Sequence, residues 1–385
     1  MNVILQVLFW ISAALVVYVY LGYPALLLLL SRLKREPSVT RAGDFEPSVS
    51  LIIAAHNEEA VIAQKLENSL LLDYPRDRLE IIVASNGSTD RTDEMVRSYQ
   101  NQGIILFSTP EAGKTIAQNL AVPQARGEIV VFTDADAVYE PETLRMLIRN
   151  FADARVGLVH GDSIATHGEQ VPVGKGTGTY LRYEGLIKKL ESRLGACVTA
   201  YGGILAIRKR LFEPIPPHLM EDFALPVLTL AQGYRAIFRP EAMMYEKARQ
   251  TAADEFMVRV RIVAQDTLAF FALLPRLLRP FQALPILLLV SHKLLRWLIP
   301  FFLAGLFFAS LALSWLVFYR WMLIVQIVFY LLAAVGYLFQ WKRRRSELFY
   351  IPLYFCLVNA AALVGMVETL SGLRRPTWQR AESSR

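Results

Sequence analysis

Cysteine is nearly missing from this 385-residue chain: only Cys197 and Cys356 occur, with no CxxC spacing and no histidine pair beside either. Neither a disulfide framework nor a zinc site is therefore indicated. Internal repeats and low-complexity segments are missing too. Charge is scarce, at 19% of residues against 54% hydrophobic, which excludes a simple soluble protein. The formal net charge of +7 raises the question of nucleic acid. Much of that charge, however, stands at the ends of apolar runs, as in Lys342, Arg343, Arg344 and Arg345. Membrane flanks account for it, and no nucleic acid partner is expected.

The first long apolar run, Ile4 to Leu30, carries no ionisable group except tyrosine hydroxyls and is long enough to cross about 30 Å of hydrocarbon. It is too long for a signal peptide core, no charged stretch precedes it and no small-residue cleavage site follows, so it is read as an anchor that is kept. Arg32, Lys34 and Arg35 follow at once, which predicts a cytoplasmic location for the residues after 31. Near the other end, Trp297 to Phe318, Trp321 to Gln340 and Tyr350 to Leu370 are each long enough to span. Residues 255–292 mix arginines, large apolar side chains and prolines, and are predicted to be helices lying in the interface. Three later spans would carry the basic tail of residues 373–385 (Arg374, Arg375, Arg380, Arg385) outward, against the positive-inside tendency, so one apolar segment is expected to be re-entrant. Trp378 is read as an interfacial anchor.

Between these ends, residues 46–254 alternate short β-branched runs with amphipathic stretches, the pattern of an α/β domain with a mostly parallel sheet. Strands are predicted at Val49 to Ala54, Leu79 to Ala84, Gly103 to Phe107, Glu128 to Thr133, Val156 to Gly161 and Ile204 to Ile207. Helices are predicted at Pro141 to Phe151 and Tyr180 to Arg193. The strand ending in TDADA puts Asp134 and Asp136 at the carboxyl end of a sheet strand, where open α/β sheets bind ligands. Two such carboxylates suit one hard cation, Mg2+ or Mn2+, bridging a nucleotide diphosphate. Alone the pair is equally compatible with a solvated loop. A second loop, IIVASNGSTD, offers Asn86, a close-approach Gly87 and several hydroxyls for a base and ribose; helix capping by Ser88 or Asp90 is the simpler reading and compatible with the first. Gly113-Lys114-Thr115 invites a P-loop reading, but the first glycine of that motif would fall at Ser108, and Pro110 removes a backbone donor.

Taken in order, AAHNEEAVI, SNGSTDRT, GKTIAQN, TDADA, YGGILAIRKRLF, MEDFAL and GYRAIFRPEA resemble the family 2 glycosyltransferases, in particular their membrane-bound polysaccharide synthase-like branch, over roughly residues 47–265. The resemblance implies a Rossmann-like glycosyltransferase A-type α/β domain with N- and C-terminal transmembrane helices and interfacial helices. It divides the chain into an anchor (1–31), a cytoplasmic catalytic domain (46–254), interfacial helices (255–292), about three spanning helices (293–372) and a basic tail. It implies an inverting, metal-dependent transfer from a nucleotide-sugar, a UDP-sugar first, to a lipid-linked or saccharide acceptor. It also implies a bacterial inner membrane setting and contact with membrane lipids. By position, Glu58, Asn86, Lys114 and Arg261 fall near the nucleotide and its diphosphate. Asp134 and Asp136 match the metal motif, and Asp222 matches the general base. Two positions depart from the pattern. Asn86 stands where the family has an aspartate, and the QxxRW motif of processive synthases is represented only by Arg261, with Val258 and Ile262 in place of glutamine and tryptophan. The first weakens the inference of base preference; the second favours limited over repeated transfer. A processive synthase is the alternative, with a P-loop hydrolase and a non-catalytic membrane scaffold behind it. Lys188, Lys189 and Arg193 read either as a membrane-facing patch near an anionic lipid acceptor or as the solvated face of a core helix.

Overall fold

The computed structural model describes residues 2–33, 45–166, 174–247, 252–279, 281–341 and 347–372. Lys34 and Arg35, the cluster Lys342 to Arg345 and the tail with Arg374, Arg375, Trp378, Arg380 and Arg385 lie outside the described residues. The chain opens with α1 (Asn2–Val17) and α2 (Tyr23–Leu33), joined through a π-helical turn. The α/β region follows as β1 (Val49–Ala55), α3 (Ile62–Leu70), β2 (Leu79–Asn86), α4 (Thr92–Ser98), β3 (Ile104–Thr109), α5 (Lys114–Gln124), β4 (Ile129–Asp134), β5 (Val138–Tyr139), α6 (Thr143–Ile148), β6 (Val156–Thr166), α7 (Gly174–Leu194), β7 (Leu205–Arg208), α8 (Glu221–Ala231) and β8 (Arg235–Lys247). Helices α9 (Ala252–Leu278), α10 (Ala283–Leu289), α11 (Leu295–Trp297), α12 (Ile299–Ala312), α13 (Val317–Trp341) and α14 (Glu347–Leu370) complete it.

The eight strands form one sheet in the order β3-β2-β1-β4-β7-β6-β8-β5. The half that carries the loops of interest is parallel, as its alternation of strand and helix requires. The other half is mixed: β7 runs antiparallel to both β4 and β6, and β5 antiparallel to β8. Six of the eight strands still run in one direction, as expected of a mostly parallel sheet, and only β7 and β5 are reversed. Four-residue β7 and two-residue β5 carry too little pattern to show their direction. Strand β8, absent from the predicted strands, contains Pro240 and five charged residues; it is tolerated there because its outer neighbour is only the short β5.

Side chains alternate across the strands and build two cores. Ile52, Ile82, Phe132 and Leu205 face α5, α7, α8 and α9, whereas Leu51, Ile53, Val83 and Val131 face α3 and α6. The first of these cores continues into Tyr23 and Leu27 of α2, so the N-terminal apolar helix is joined to the sheet through α7.

Among the described residues, three helical stretches can cross a membrane by length and composition: Asn2–Leu33, Val317–Leu338 and Leu348–Leu370. Ala283–Trp297 and Ile299–Ala312 pass the same test only together and meet at a bend of 53°. The apolar segment from Trp297 to Phe318 is thus not one straight span. Its helix α12 covers 14 residues, about 21 Å, and the bend falls beside Pro300. Such a bent pair is either one broken span or a re-entrant loop. Residues 255–292 are dominated by the single 27-residue helix α9, packed against α8 and α14.

Candidate active site

Strand β4 ends at Asp134, and the carbonyl of that residue accepts a hydrogen bond from Ala137 N–H at 3.2 Å, closing the TDADA turn. Lys114, the first residue of α5, follows Gly113 in a positive-φ conformation (97°). Its Nζ reaches Asp134 Oδ1 at 2.6 Å and Glu221 Oε1 at 2.5 Å. Burial disfavours the ammonium, but the carboxylates of Asp134 and Glu221 outweigh it and hold Lys114 above the ordinary lysine range. The consecutive elements α5 and β4 and the distant helix α8 therefore meet at one cation.

Asp222 follows Glu221 in the first turn of α8. Its Oδ1 is buried without a hydrogen-bond partner. Burial pushes its carboxyl up to about 7; Asp266 on α9 and Glu221 add to the rise, while Lys293 and Lys114 oppose it. Lys293 in turn donates to Asp266 Oδ2 at 3.0 Å. A carboxyl held half-protonated near neutrality, with one oxygen uncommitted, has the properties of a general base.

The nucleotide-side loops are zipped together by short polar bonds. Asn86, buried at the end of β2, accepts the backbone N–H groups of Ala112 and Gly113 on Oδ1 at 2.8 and 2.9 Å. Its side-chain oxygen thus holds the turn that delivers Lys114, leaving the amide nitrogen for other partners. Asn57, in a positive-φ conformation (54°), accepts Thr89 N–H at 2.8 Å, and buried Glu58 donates its N–H to Thr92 Oγ1 at 2.8 Å. Asp90 accepts Thr92 N–H at 2.9 Å at the start of α4, the capping role. Arg261 lies on α9, the same helix as Asp266, and not on the strand-end loops.

Lys65 was not among the expected site residues. It is buried on α3 and donates to Thr133 Oγ1 at 2.8 Å and Ala137 O at 2.5 Å, with its Nζ over the Tyr139 ring at 4.3 Å. Burial drags its ammonium down to about 7 against the pull of Asp134 and Asp136. It props the TDADA turn from behind. The sequence held a sign of it: positions 62, 65, 66 and 69 fall on one helical face, and all four are buried. Gly202 and Gly203 matter for the same region. A Cβ at Gly202 would lie 3.0 Å from Glu221 Oε1, and one at Gly203 would lie 3.2 Å from Asp134 Oδ2, so the glycine pair keeps space open beside both carboxylates.

Among the described residues no group of three or more His, Cys, Asp or Glu side chains forms a closed metal cage. Asp134 and Asp136 nonetheless fit a hard divalent cation of the kind that takes one or two carboxylates and fills its shell with phosphate oxygens and water. The space kept by Gly203 beside Asp134 Oδ2 suits that arrangement.

Comparison with known proteins agrees with this geometry. Residues 50–215 match the model of the Glycosyl transferase family 2. The probable glycosyltransferase YdaM of Bacillus subtilis (strain 168) is 28% identical over 221 residues, covering 53% of this chain and 52% of the relative. The poly-beta-1,6-N-acetyl-D-glucosamine synthase of Staphylococcus aureus (strain COL) is 27% identical over 220 residues, 55% of this chain and 53% of the relative. The chain thus matches about half the length of these curated relatives. The solved structure of the Pyrobaculum calidifontis mannosyltransferase PcManGT, in complex with GDP-Man and Mn2+, superposes with a TM-score of 0.72 at 24% identity, covering 95% of this chain and all of that one. It therefore shares the fold through the membrane-associated helices as well as the sheet. Residues 50–215, which hold Glu58, Asn86, Lys114, Asp134 and Asp136, are thus similar to the Glycosyl transferase family 2, and the chain shares its fold with the solved mannosyltransferase.

Proposed function

We propose that the protein is an inverting glycosyltransferase that moves a sugar from a nucleotide diphosphate donor, a UDP-sugar first, onto an acceptor hydroxyl presented from the membrane side. The observation that carries this reading is Asp222, a carboxyl poised at about 7 with Oδ1 uncommitted beside the Lys114–Asp134–Glu221 cluster. In the proposed step Asp222 takes the proton of the acceptor hydroxyl as its oxygen attacks C1 of the donor sugar. The bond from C1 to the diphosphate oxygen breaks on the opposite face, and the anomeric centre inverts in one displacement with no covalent intermediate. Lys114 supplies positive charge where the diphosphate departs. Arg261 is assigned to the same diphosphate from α9. Glu58 and the Asn86 loop bound the nucleotide side. Asp134 and Asp136 would hold Mg2+ or Mn2+, which when bound neutralises the leaving group.

We infer a bacterial inner membrane setting with this domain on the cytoplasmic side; the basic residues that follow the first apolar run, Arg32, Lys34 and Arg35, support that side. The acceptor is lipid-linked or a saccharide, in cell-surface polysaccharide or glycolipid synthesis, and transfer is limited rather than processive because Val258 and Ile262 replace the two sugar-binding members of QxxRW. The name of the Staphylococcus aureus relative favours the second reading, a polymer synthase. The experiment is to incubate the purified membrane protein with a panel of labelled UDP- and GDP-sugars, with and without Mn2+, and to size the product. Sugar transfer abolished by Asp222→Asn and Asp134→Ala supports the assignment. Transfer untouched by both sinks it, and a long polymer overturns limited transfer.

A further inference from the structure

Buried cations in this protein are matched to partners. Lys114 bridges two carboxylates, Lys65 donates to Thr133 and Ala137, and Lys293 holds Asp266. His292 lies between Glu191 at 2.7 Å and Glu184 at 3.1 Å, and Arg296 also engages Glu184. Lys188 breaks this rule. It lies on α7 and is 5% exposed. Among the described residues its Nζ has neither a hydrogen bond nor an ion pair, only the face of the Tyr201 ring with the centroid at 3.2 Å. The carboxylates nearest in effect, Glu184 and Asp162, only partly offset the burial that brings its ammonium down to about 8. A desolvated cation with no directly bonded counter-ion is costly, and an anion bound beside it would offset that cost.

Its position bears on where such an anion would come from. Tyr201 is followed by Gly202, where a Cβ would touch Glu221 Oε1 and lie 3.6 Å from Asp222 Cβ. Ala200, on the other side of Tyr201, donates its N–H to the Asp222 carbonyl at 2.8 Å. The ring that Lys188 faces thus belongs to a backbone segment that packs on the proposed base. Behind it, α7 packs against α2 and α14, both parts of stretches able to cross a membrane. The helix that carries this ammonium therefore lies between the sheet and the helices able to cross a membrane.

We propose that Lys188 and the Tyr201 ring form a binding subsite for a phosphate group on the acceptor. This deepens the functional reading above and rests on it for the word acceptor, though not for the site itself. Phosphate is the matching chemistry because a compact ammonium binds it as a point charge, and the ring below fixes where the ammonium stands. The phosphate comes from a lipid carrier or from a soluble phosphate ester, and the test separates these.

Isothermal titration of the purified full-length protein in nanodiscs, without any donor, uses three probes: dodecyl phosphate, dodecanol and inorganic phosphate. Dodecyl phosphate binding that weakens at least tenfold in Lys188→Met, and not in Lys189→Met on the exposed face of the same helix, supports the subsite with a lipid source. The same loss seen with inorganic phosphate at comparable affinity supports it with a soluble source. Equal affinity of wild type and Lys188→Met for both phosphates overturns it, as does dodecanol binding as tightly as dodecyl phosphate. Tyr201→Leu reads the site from its other side and serves if Lys188→Met lowers the unfolding midpoint. No donor is present, so this test fails independently of the transfer assay.

Discussion

Lys114 is the residue on which the geometry converges, since its one ammonium joins the strand-end aspartate to the helix that carries Asp222. Replacing it with methionine leaves Glu221 buried beside Asp134 with no cation between them. Breaking a buried pair in this way costs about 3–5 kcal/mol. Lys114→Met is therefore expected to lower the unfolding midpoint and to reduce kcat for transfer more than tenfold; unchanged values of both would remove Lys114 from the site. Asp222 gives a second expectation at this scale. A general base must be deprotonated to work, so kcat/KM is expected to rise with pH through about 7 and level off above it. Asp266 is the largest charge holding that carboxyl up. Asp266→Asn removes it and frees Lys293 to favour the carboxylate, so the acid limb should move to lower pH. A limb that stays in place, or moves up, would show that another group titrates.

At the scale of elements, the loops work by committing polar atoms to one another, and Gly87 is where this is tightest. It has φ 61°, and a Cβ there would lie 2.5 Å from Glu111 N and 2.8 Å from Glu111 Cα. Gly87→Ala therefore meets backbone as well as an unfavourable φ, the latter alone worth roughly 1–2 kcal/mol. The loop from 110 to 113 should move, taking Lys114 with it. The expected result is a raised KM for the donor nucleotide-sugar, with a smaller change in kcat. Equal kinetics for Gly87→Ala and wild type would mean that the loop adapts. These loops were legible because β-branched runs ending in Asp, Asn and Gly mark strand ends whatever happens elsewhere. Lys114 and Asp222 were nameable from their motifs, but their meeting was not, since it depends on β7 running antiparallel and so bringing Gly202 and α8 back beside β4. Lys65 went unread, and Lys188 was grouped with Lys189 and Arg193 on a membrane-facing or solvated face, for a related reason. A lysine on an amphipathic helix is normally at the surface, and only the packing of α3 under the TDADA turn, and of α7 against α2, buries them.

Across the whole molecule, the membrane-associated helices and the sheet share contacts that reach the base itself. Helix α9 carries Asp266, packs on α8 where Asp222 begins the helix, and on its other side meets α14. The contact with α14 is close because Gly365 allows it: a Cβ there would lie 2.7 Å from Val260 O and 3.0 Å from Val263 Cβ. Small residues at such crossings let helix backbones approach in an apolar setting, where packing rather than hydrophobic burial holds helices together. Similar approaches occur at Gly305, against Ser12 of α1, and at Gly336, against Phe349 O of α14. The three crossings differ in what lies beyond them. Gly305→Leu and Gly336→Leu disturb helix pairs remote from Asp222, whereas Gly365→Leu pushes on α9. Membrane fractionation, unfolding midpoints and transfer rates of the three variants therefore separate stability from catalysis. All three are expected to remain in the membrane fraction with lowered midpoints. Gly365→Leu alone is expected to lose an additional tenfold or more in kcat/KM and to shift the acid limb, because moving α9 carries Asp266 away from Asp222. Equal losses in all three would mean that the helices anchor the domain without tuning its base.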